Sequence, residues 1–356
     1  MKRHDTLSPG RAAKPVVIGA GLIALDVLAR PGGDPPIQLR AGGTCGNVLT
    51  ALSYLGWGAW PVSRLKNDPA AESIRGDLAR WSVKLDFVSC DADGSTPVFV
   101  QNTTQAAGQD PVHTFTTRCP ACGARLPGYK AVTASGVESI LPQIAEADVF
   151  FFDRASRGTL LLAGHCAALG AIVVFEPSGI GEPRLFQEAV AASHVLKYSN
   201  ERLKAEDIPA DCRVPLLIET RGREGLRFRS RLASSTSNSW VQSRAFVAEA
   251  VQDTSGAGDW CSAGLLHALG RNGAVGFLAA GAEDVTEALR LGQALSAWNC
   301  GFGGARGGMY EVTPRVLAAR VTAILEQGRV GTAKPTRRTP LGGDTPLEFC
   351  ALCATS

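Results

Sequence analysis

The runs DVFFFD (148–153), AIVVFEP (171–177), HVLKYS (194–199) and VPLLIET (214–220) decide the fold. Each is a short, almost continuous apolar stretch, and helical stretches alternate with them along the chain. Strands that are buried on both faces have this composition, and their alternation with helices is typical of a parallel sheet. We therefore predict an α/β fold, with a mainly parallel sheet covered by helices on both faces.

The segments before and after these runs extend the pattern. The run KPVVIGAG (14–21) predicts a buried strand that ends in a tight turn, and GGTCGNVLTALSYLG (42–56) predicts a glycine turn that opens a helix. Capping residues followed by proline predict helix starts at Asp68 and Thr313. The segments TPVFVQNTT (96–104) and HTFTTR (113–118) predict an antiparallel pair of strands.

Length and composition exclude several classes of protein. The chain has 356 residues, of which 45% are hydrophobic and 19% are charged, so it can bury a substantial core and is not a disordered chain. A net charge of +3 is too small to indicate a nucleic acid or a membrane surface as a partner. No uninterrupted apolar stretch of membrane-spanning length is present, and no apolar core follows the basic N-terminus. We therefore expect a cytoplasmic protein.

The heptapeptide DTSGAGD at 253–259 is the most informative segment for function. Its small residues allow a ligand to approach the backbone closely, and the apolar helix predicted after it directs free N–H groups and a positive dipole end toward the turn. Such a turn binds anions, and phosphate is the usual ligand. Asp259, at the helix start, is placed to accept a proton from a substrate hydroxyl. The alternative is that the glycines only permit tight packing and Asp259 only caps the helix.

The whole heptapeptide resembles the D-T-x-G-A-G-D signature of the ribokinase-like (PfkB) sugar and nucleoside kinases. The resemblance covers roughly residues 15–326 and implies a three-layer α/β/α fold with a small β-sheet lid. It implies that Asp259 is the catalytic base and that the amides of Gly256, Ala257 and Gly258 form an anion hole. The implied reaction is ATP-dependent phosphorylation of a hydroxyl on a sugar, a nucleoside or a related polyol. ATP and Mg²⁺ are the implied cofactors, with a monovalent cation as a further candidate.

Two segments resemble the substrate side of the family. Residues 42–47, GGTCGN, are similar to the G-G-x-x-x-N element, which implies that Gly42, Gly43 and Asn47 contact hydroxyls of the acceptor. Asp26 matches the acidic residue that anchors a hydroxyl pair, a task that suits a carboxylate because it accepts two O–H bonds. The alternative for Asp26 is an ordinary loop or helix-start aspartate.

Other segments resemble the nucleotide side. TRGREG at 220–225 is similar to the T-x-G-x-x-G turn that lines the phosphates, which implies nucleotide contacts for Thr220, Gly222 and Gly225. Asn200 follows a mid-sheet strand on the same side. The late helix that ends at Asn299 falls where the family holds adenine.

Two departures from the family concern the metal and the substrate. The family places a magnesium-organising Glu after a mid-sheet strand, but Arg202 occupies that position here and Glu201 precedes it. Either Glu201 substitutes for that Glu or Arg202 contacts phosphate directly. In addition, Glu176-Pro-Ser stands where many members have Asp-Pro-Asn, so the acceptor is not identified.

Two C-x-x-C pairs lie outside the family pattern. Cys119-Pro-Ala-Cys122-Gly has the form of a zinc knuckle, and the second pair, Cys350 and Cys353, would complete a four-cysteine site. The alternatives are a redox pair at Cys119 and Cys122, or disulfides and unrelated thiols. A zinc ion at this site, structural or regulatory, would tie the C-terminal tail to the lid.

The predicted organisation is a loose arm (1–14), a kinase domain (15–327) with a lid segment at about 96–118, and a linker with the C-x-x-C tail (328–356). The resemblance also makes a homodimer paired through its lids conceivable. Two functions remain open. The intact heptapeptide favours a kinase, whereas the displaced Glu and the zinc pattern favour a non-catalytic ligand- or partner-binding relative. A zinc-ribbon nucleic-acid protein is disfavoured by the near-neutral charge.

Overall fold

The computed structural model describes residues 14–29, 37–104, 112–232, 239–248 and 250–331. The strands are β1 (Val16–Ala20), β2 (Ala24–Ala29), β3 (Ile37–Gly42), β4 (Gly58–Leu65), β5 (Val88–Cys90), β6 (Val98–Thr104), β7 (Val112–Thr116), β8 (Val149–Phe152), β9 (Ile172–Phe175), β10 (Val195–Ser199), β11 (Leu216–Thr220), β12 (Leu226–Ser230), β13 (Val241–Ser243), β14 (Val247–Ala248) and β15 (Arg329–Val330). The α-helices are α1 (Thr44–Tyr54), α2 (Pro69–Arg80), α3 (Ala134–Ile140), α4 (Arg157–Ala168), α5 (Pro183–Ala191), α6 (Ala257–Leu269), α7 (Gly273–Leu278), α8 (Ala282–Asn299), α9 (Gly307–Glu311) and α10 (Pro314–Gln327).

A nine-stranded sheet runs through the centre of the molecule in the order β13-β12-β11-β10-β9-β8-β1-β4-β5. Its strands are parallel from β5 to β11, and β12 and β13 add an antiparallel edge. The strands predicted in the four opening runs are β8, β9, β10 and β11, which confirms the parallel sheet. Since parallel strands all end at one edge, the residues that follow β8, β9 and β10 meet there.

Helices cover both faces of this sheet, as predicted. Successive residues of a strand point to opposite faces, so Phe151 and Val174 pack with α1, α6 and α8, whereas Phe150 and Phe175 pack with α4 and α5. The two resulting cores make the fold a three-layer α/β/α arrangement. No helix in the described part of the chain is long and apolar enough to cross a membrane.

A separate four-stranded sheet has the order β3-β2-β6-β7. The antiparallel pairing of β6 with β7 confirms the prediction for that part of the chain. The other half, β2 and β3, is not predicted by the sequence analysis, because polar residues such as Gln38 and Arg40 interrupt the apolar pattern. Both side chains are nevertheless buried, since this sheet packs against the turn at 253–259 and the loop after α8, where Gln101 donates to Asp253 and Arg40 donates to Gly303.

Local signals place the helix starts correctly and the end of the domain incorrectly. Asp68 and Thr313 cap α2 and α10, each with proline at the first turn. The predicted linker from residue 328 is wrong at its start, because β15 pairs with β14 in parallel and buries Val330. Residues 1–13 and 332–356, which include Cys350 and Cys353, lie outside the described residues.

Candidate active site

The turn at 253–259 leads into α6 at Gly256, whose backbone conformation would be strained for most other residues. Gly256 has a φ of 72°, and a Cβ there would lie 2.3 Å from the carbonyl oxygen of Ala305. Only glycine satisfies both constraints. The amide of Ala257 donates to the carbonyl oxygen of Thr254 at 3.2 Å. The next first-turn amides of α6, that of Gly258 among them, have no acceptors within the helix, so this helix start has the geometry of an anion site.

Asp253 fastens this turn to two other parts of the molecule. Its Oδ1 accepts the amide of Ser255 at 2.8 Å, while its Oδ2 accepts the amide of Gly304 at 2.7 Å. Oδ2 also accepts from Gln101 Nε2, on β6 of the small sheet, at 2.9 Å. One buried carboxylate therefore joins the turn, the small sheet and the loop after α8. Gln101 is not predictable as a site residue, because nothing in its local pattern marks it.

Asp259 is buried at the start of α6 and accepts a hydrogen bond from Asn47 Nδ2 at 2.7 Å. Burial raises the pKa of Asp259 to about 7, and the negative charge of Glu176 contributes to the increase. The hydrogen bond from Asn47 and the positive charge of Lys197 oppose it. A carboxylate with a pKa near neutrality can accept a proton and release it again, which is what a general base requires.

A buried ion pair, Lys197 with Glu176, contacts the turn at 253–259. Lys197, on β10, donates to Glu176 Oε1 and, at 3.1 Å, to the carbonyl oxygen of Gly258. Ser262, one turn further along α6, donates to Glu176 Oε2 at 2.5 Å. Burial lowers the pKa of Lys197, but the charge and hydrogen bond of Glu176, together with Cys261 and Asp259, raise it further, so the net shift is upward and the ammonium stays charged. In the sequence, Glu176 stands out only as a departure from the family pattern, and no local signal marks Lys197.

Asp26 lies on β2 of the small sheet, which excludes the alternative of a loop or helix-start aspartate. Burial raises its pKa to about 7, against the positive charges of Arg306 and Arg40. Its carboxylate packs on the backbone of Gly42, where a Cβ would lie 1.9 Å from Oδ2. Gly43, with a φ of 80°, precedes α1. The structure therefore brings Asp26 and Gly42 into contact at the start of α1.

Arg306 connects this region to Asp259. It is buried, and its Nε donates to Asn47 Oδ1 at 3.1 Å. Because Asn47 also contacts Asp259, the predicted substrate side and the predicted base are linked through one amide. The glycine-rich sequence around Arg306 is typical of an exposed loop, so no local signal marks it as a site residue.

The residues predicted on the nucleotide side lie at the ends of β10 and β11. The amide of Asn200 donates to the carbonyl oxygen of Thr220 at 3.0 Å, which brings the two segments together. Gly222 and Gly225, with φ values of 54° and 98°, form the turn after β11. Glu201 extends toward this turn, since its Oε1 lies 3.9 Å from the position of a Cβ on Gly222.

Asn299 is placed differently from the other predicted nucleotide residues. It is fully buried, and its Nδ2 donates to the carbonyl oxygen of Ala305 at 3.0 Å. Its Oδ1 accepts the amide of Gly308 at 3.3 Å. Both ends of the side-chain amide therefore hold the loop between α8 and α9.

The first C-x-x-C pair forms a tight turn. The carbonyl oxygen of Cys119 accepts the amide of Gly123 at 2.8 Å, and the amide of Cys119 donates to Ala124 at 2.8 Å. Cys119 is buried and Cys122 is exposed. Within the described ranges no group of three or more possible metal ligands occurs, and Cys350 and Cys353 lie outside those ranges. The four-cysteine zinc site therefore stays a prediction.

Comparisons with known proteins agree with this architecture. Residues 187–311 match the pfkB family carbohydrate kinase. A fructokinase from Xylella fastidiosa with bound ATP is 20% identical, with a TM-score of 0.67, and the match covers 89% of this chain and 100% of that one. A fructokinase from Vibrio cholerae O395 bound to fructose, ADP and calcium ion is 20% identical, with a TM-score of 0.62 and coverage of 88% and 99%.

An aminoimidazole riboside kinase from Salmonella enterica, complexed with aminoimidazole riboside and an ATP analog, is 19% identical, with a TM-score of 0.61 and coverage of 87% and 99%. No curated protein sequence matches the chain. At these identities the structural likeness concerns the fold. The chain thus has the ribokinase-like α/β fold, and its residues 187–311 match the pfkB family of carbohydrate kinases.

Proposed function

We propose that this protein is an ATP-dependent phosphotransferase that phosphorylates a hydroxyl of a sugar, a nucleoside or a related small polyol. The observation that carries the proposal is the placement of Asp259. It is a buried carboxylate with a pKa of about 7, at a helix start whose glycine turn has the geometry of an anion site. A proton acceptor beside an anion site is the arrangement that phosphoryl transfer to a hydroxyl requires.

The proposed chemistry uses these two parts together. Asp259 takes the proton of the acceptor hydroxyl as its oxygen forms a bond to the γ-phosphorus of ATP. The bond between that phosphorus and the bridging oxygen breaks, and ADP leaves. The amides of Gly256, Ala257 and Gly258 stabilise the negative charge on the transferred group. Lys197 holds this turn in place through the carbonyl oxygen of Gly258.

The acceptor is proposed to lie between the small sheet and α1. Asp26 would accept hydroxyl protons there, and Gly42, Gly43 and Asn47 would border the same space. The likeness to kinases bound to fructose and to aminoimidazole riboside supports an acceptor that carries several hydroxyls. Those ligands belong to the relatives.

The nucleotide is proposed to lie along Asn200, Thr220, Gly222 and Gly225, at the ends of β10 and β11. Asn299 would act indirectly, because its amide shapes the loop between α8 and α9.

Mg²⁺ bound with a nucleotide is usually held by one or two carboxylates together with the phosphates, and it would neutralise the charge of the phosphates. Glu201 fits this task, because it is exposed and lies beside the turn at Gly222. Glu176 does not fit, since Lys197 and Ser262 occupy both of its oxygens. A monovalent cation remains a further candidate cofactor.

The zinc clip is proposed as an addition to the kinase. Its support is the turn at Cys119–Gly123, in which hydrogen bonds at 2.8 Å and a glycine with a φ of 73° bring the chain back on itself. Cys350 and Cys353 would supply the other two thiolates. A homodimer is likewise a proposal that rests on the resemblance alone.

The test is turnover of ATP in the presence of a panel of sugars and nucleosides, with wild-type protein and Asp259→Asn. A positioned base contributes about 10²- to 10⁴-fold, so the variant should lose activity by that factor and retain nucleotide affinity. Glu201→Gln should raise the Mg²⁺ concentration needed for activity. Arg202→Gln tests the alternative, because loss of a direct phosphate contact should weaken nucleotide binding at every Mg²⁺ concentration. Nucleotide or sugar binding without turnover in the wild type would favour the non-catalytic relative instead.

A further inference from the structure

Four buried side chains form a continuous chain of hydrogen bonds that ends on Asp259. Arg306 Nη2 donates to Asp77 Oδ2 at 2.8 Å, and Arg306 Nε donates to Asn47 Oδ1 at 3.1 Å. Asn47 Nδ2 then donates to Asp259 Oδ2 at 2.7 Å. The four residues are no more than 9% exposed, and they come from α2, the residue before α9, α1 and α6. Residues distant in sequence thus converge on the proposed base.

The hydrogen-bonding chemistry of arginine determines which way the Asn47 amide is oriented. A guanidinium group has five N–H donors and no acceptor, so the atom of Asn47 that faces it must be the carbonyl oxygen. An amide whose oxygen is held in this way directs its NH₂ group to the opposite side, where Asp259 lies. An NH₂ group favours the ionised form of a carboxylate. A reversed amide would direct its oxygen at Asp259 and favour the protonated form.

Arg306 is itself held firmly enough to impose this orientation. Its ion-pair partner Asp77 accepts from the hydroxyl of Tyr310 at 2.8 Å and from the amide of Ala41 at 2.9 Å. Arg306 also donates to the carbonyl oxygen of Ala41. The guanidinium group is therefore fixed by helix α2 and by the end of β3, independently of Asn47.

The charged and titratable groups that face Asp259 come from every element around it. Glu176 follows β9 and Asp153 follows β8, and both negative charges raise the pKa of Asp259. Lys197 on β10 lowers it, as does the hydrogen bond from Asn47, and the thiol of Cys45 on α1 lies nearby. Burial and two carboxylates act against ionisation, and the hydrogen bond from Asn47 and the charge of Lys197 are the influences that favour the ionised form.

We propose that Arg306 is a positioning residue that holds the Asn47 amide with its NH₂ group toward Asp259, an orientation that favours the ionised form of this carboxylate. The kinetic consequence rests on the proposed function, because it requires Asp259 to act as the base. The structural consequence does not, since the protonation of Asp259 can be measured without turnover.

The test is a ¹³C NMR titration of the aspartate carboxyl groups in the full chain, with the Asp259 signal identified by its loss in Asp259→Asn. Arg306→Met removes every donor and retains an unbranched side chain of similar length. The pKa of Asp259 should then rise by about one unit. Arg40→Met is the matched control, because Arg40 is also buried and also acts on Asp26, but its described contacts are with Gly303, Gln38 and Tyr310. It should leave the pKa of Asp259 unchanged.

Arg306→Met leaves Asp77 buried without its ion-pair partner and can prevent folding. In that case the double variant Asp77→Asn with Arg306→Met removes both charges together and keeps the measurement possible. An unchanged pKa of Asp259 in either folded variant, or an equal rise in Arg40→Met, overturns the proposal. If the wild type turns over an acceptor, the acidic limb of its kcat profile should move to higher pH in the Arg306 variant. If the wild type turns over no acceptor, the proposed function is contradicted. The NMR titration then still tests the role of Arg306 by itself.

Discussion

Lys197→Met tests how the turn at 253–259 is supported. The side chains of Lys197 and Glu176 are only 2% and 12% exposed, so solvent screens their attraction little. Removing one partner of a buried ion pair typically costs about 3–5 kcal/mol, because the other charge remains buried without compensation. At roughly 2–4 °C per kcal/mol, the melting temperature should fall by roughly 6–20 °C. The loss of a positive charge should also raise the pKa of Asp259 above its value of about 7.

A double-mutant cycle distinguishes this pair from two independently buried residues. Glu176→Gln alone should also destabilise, because it leaves the ammonium of Lys197 without its charged partner. The combined variant removes both charges, so its loss of stability should be smaller than the sum of the two single losses by about 0.5–3 kcal/mol. Lys84→Met is the matched control, since Lys84 is exposed and its replacement should change the stability of the protein little.

The assay is thermal denaturation of the four proteins and the control at one pH. Additive losses within about 0.3–0.5 kcal/mol would refute the coupling. A melting temperature for Lys197→Met equal to that of Lys84→Met would refute the claim that Lys197 supports the turn.

Three further predictions concern Asp259, Asp26 and the cysteine pairs. The folded-state pKa of Asp259 is about 7, above the unfolded value of 3.8, so its contribution to stability is present below pH 4 and is lost as the pH rises through 7. Asp259→Asn should therefore gain stability relative to the wild type between pH 5 and pH 8 in thermal melts, and a constant difference would contradict the shift. Asp26→Ala should weaken acceptor binding in calorimetry and leave nucleotide binding unchanged; a selective loss of nucleotide affinity would remove Asp26 from the acceptor side. Elemental analysis should find about one zinc ion per full-length chain and none after removal of residues 346–356, whereas zinc retained after truncation would exclude the tail cysteines as ligands.

Much of the fold follows from local sequence. The apolar runs that became β8 to β11 are buried on both faces, and a strand in that environment needs no partner to be recognised. The starts of α2 and α10 are equally local, because a capping side chain and a proline act within one helical turn. The turn at Gly256 is also encoded nearby, since both its positive φ and the helix after it depend on adjacent residues.

The strands β2 and β3 mark the limit of that reasoning. Gln38 and Arg40 are polar residues that a local pattern assigns to the surface, yet both are buried because the small sheet packs against the loop after α8. Arg40 donates to Gly303 at 2.9 Å across that boundary. A polar side chain can be buried only when a partner is supplied, and here the partner comes from a distant part of the chain.

The residues of the candidate site divide in the same way. Asp259 and its glycines were identified because their chemistry and their spacing lie within one heptapeptide. The protonation of Asp259 depends instead on Glu176, Lys197 and Asn47, which reach it from three other elements. Arg306 meets Asn47 across 259 residues of sequence, and a lone arginine among glycines carries no sign of such a contact. Electrostatic influence is set by distance in space, so only the tertiary structure decided which charges surround Asp259.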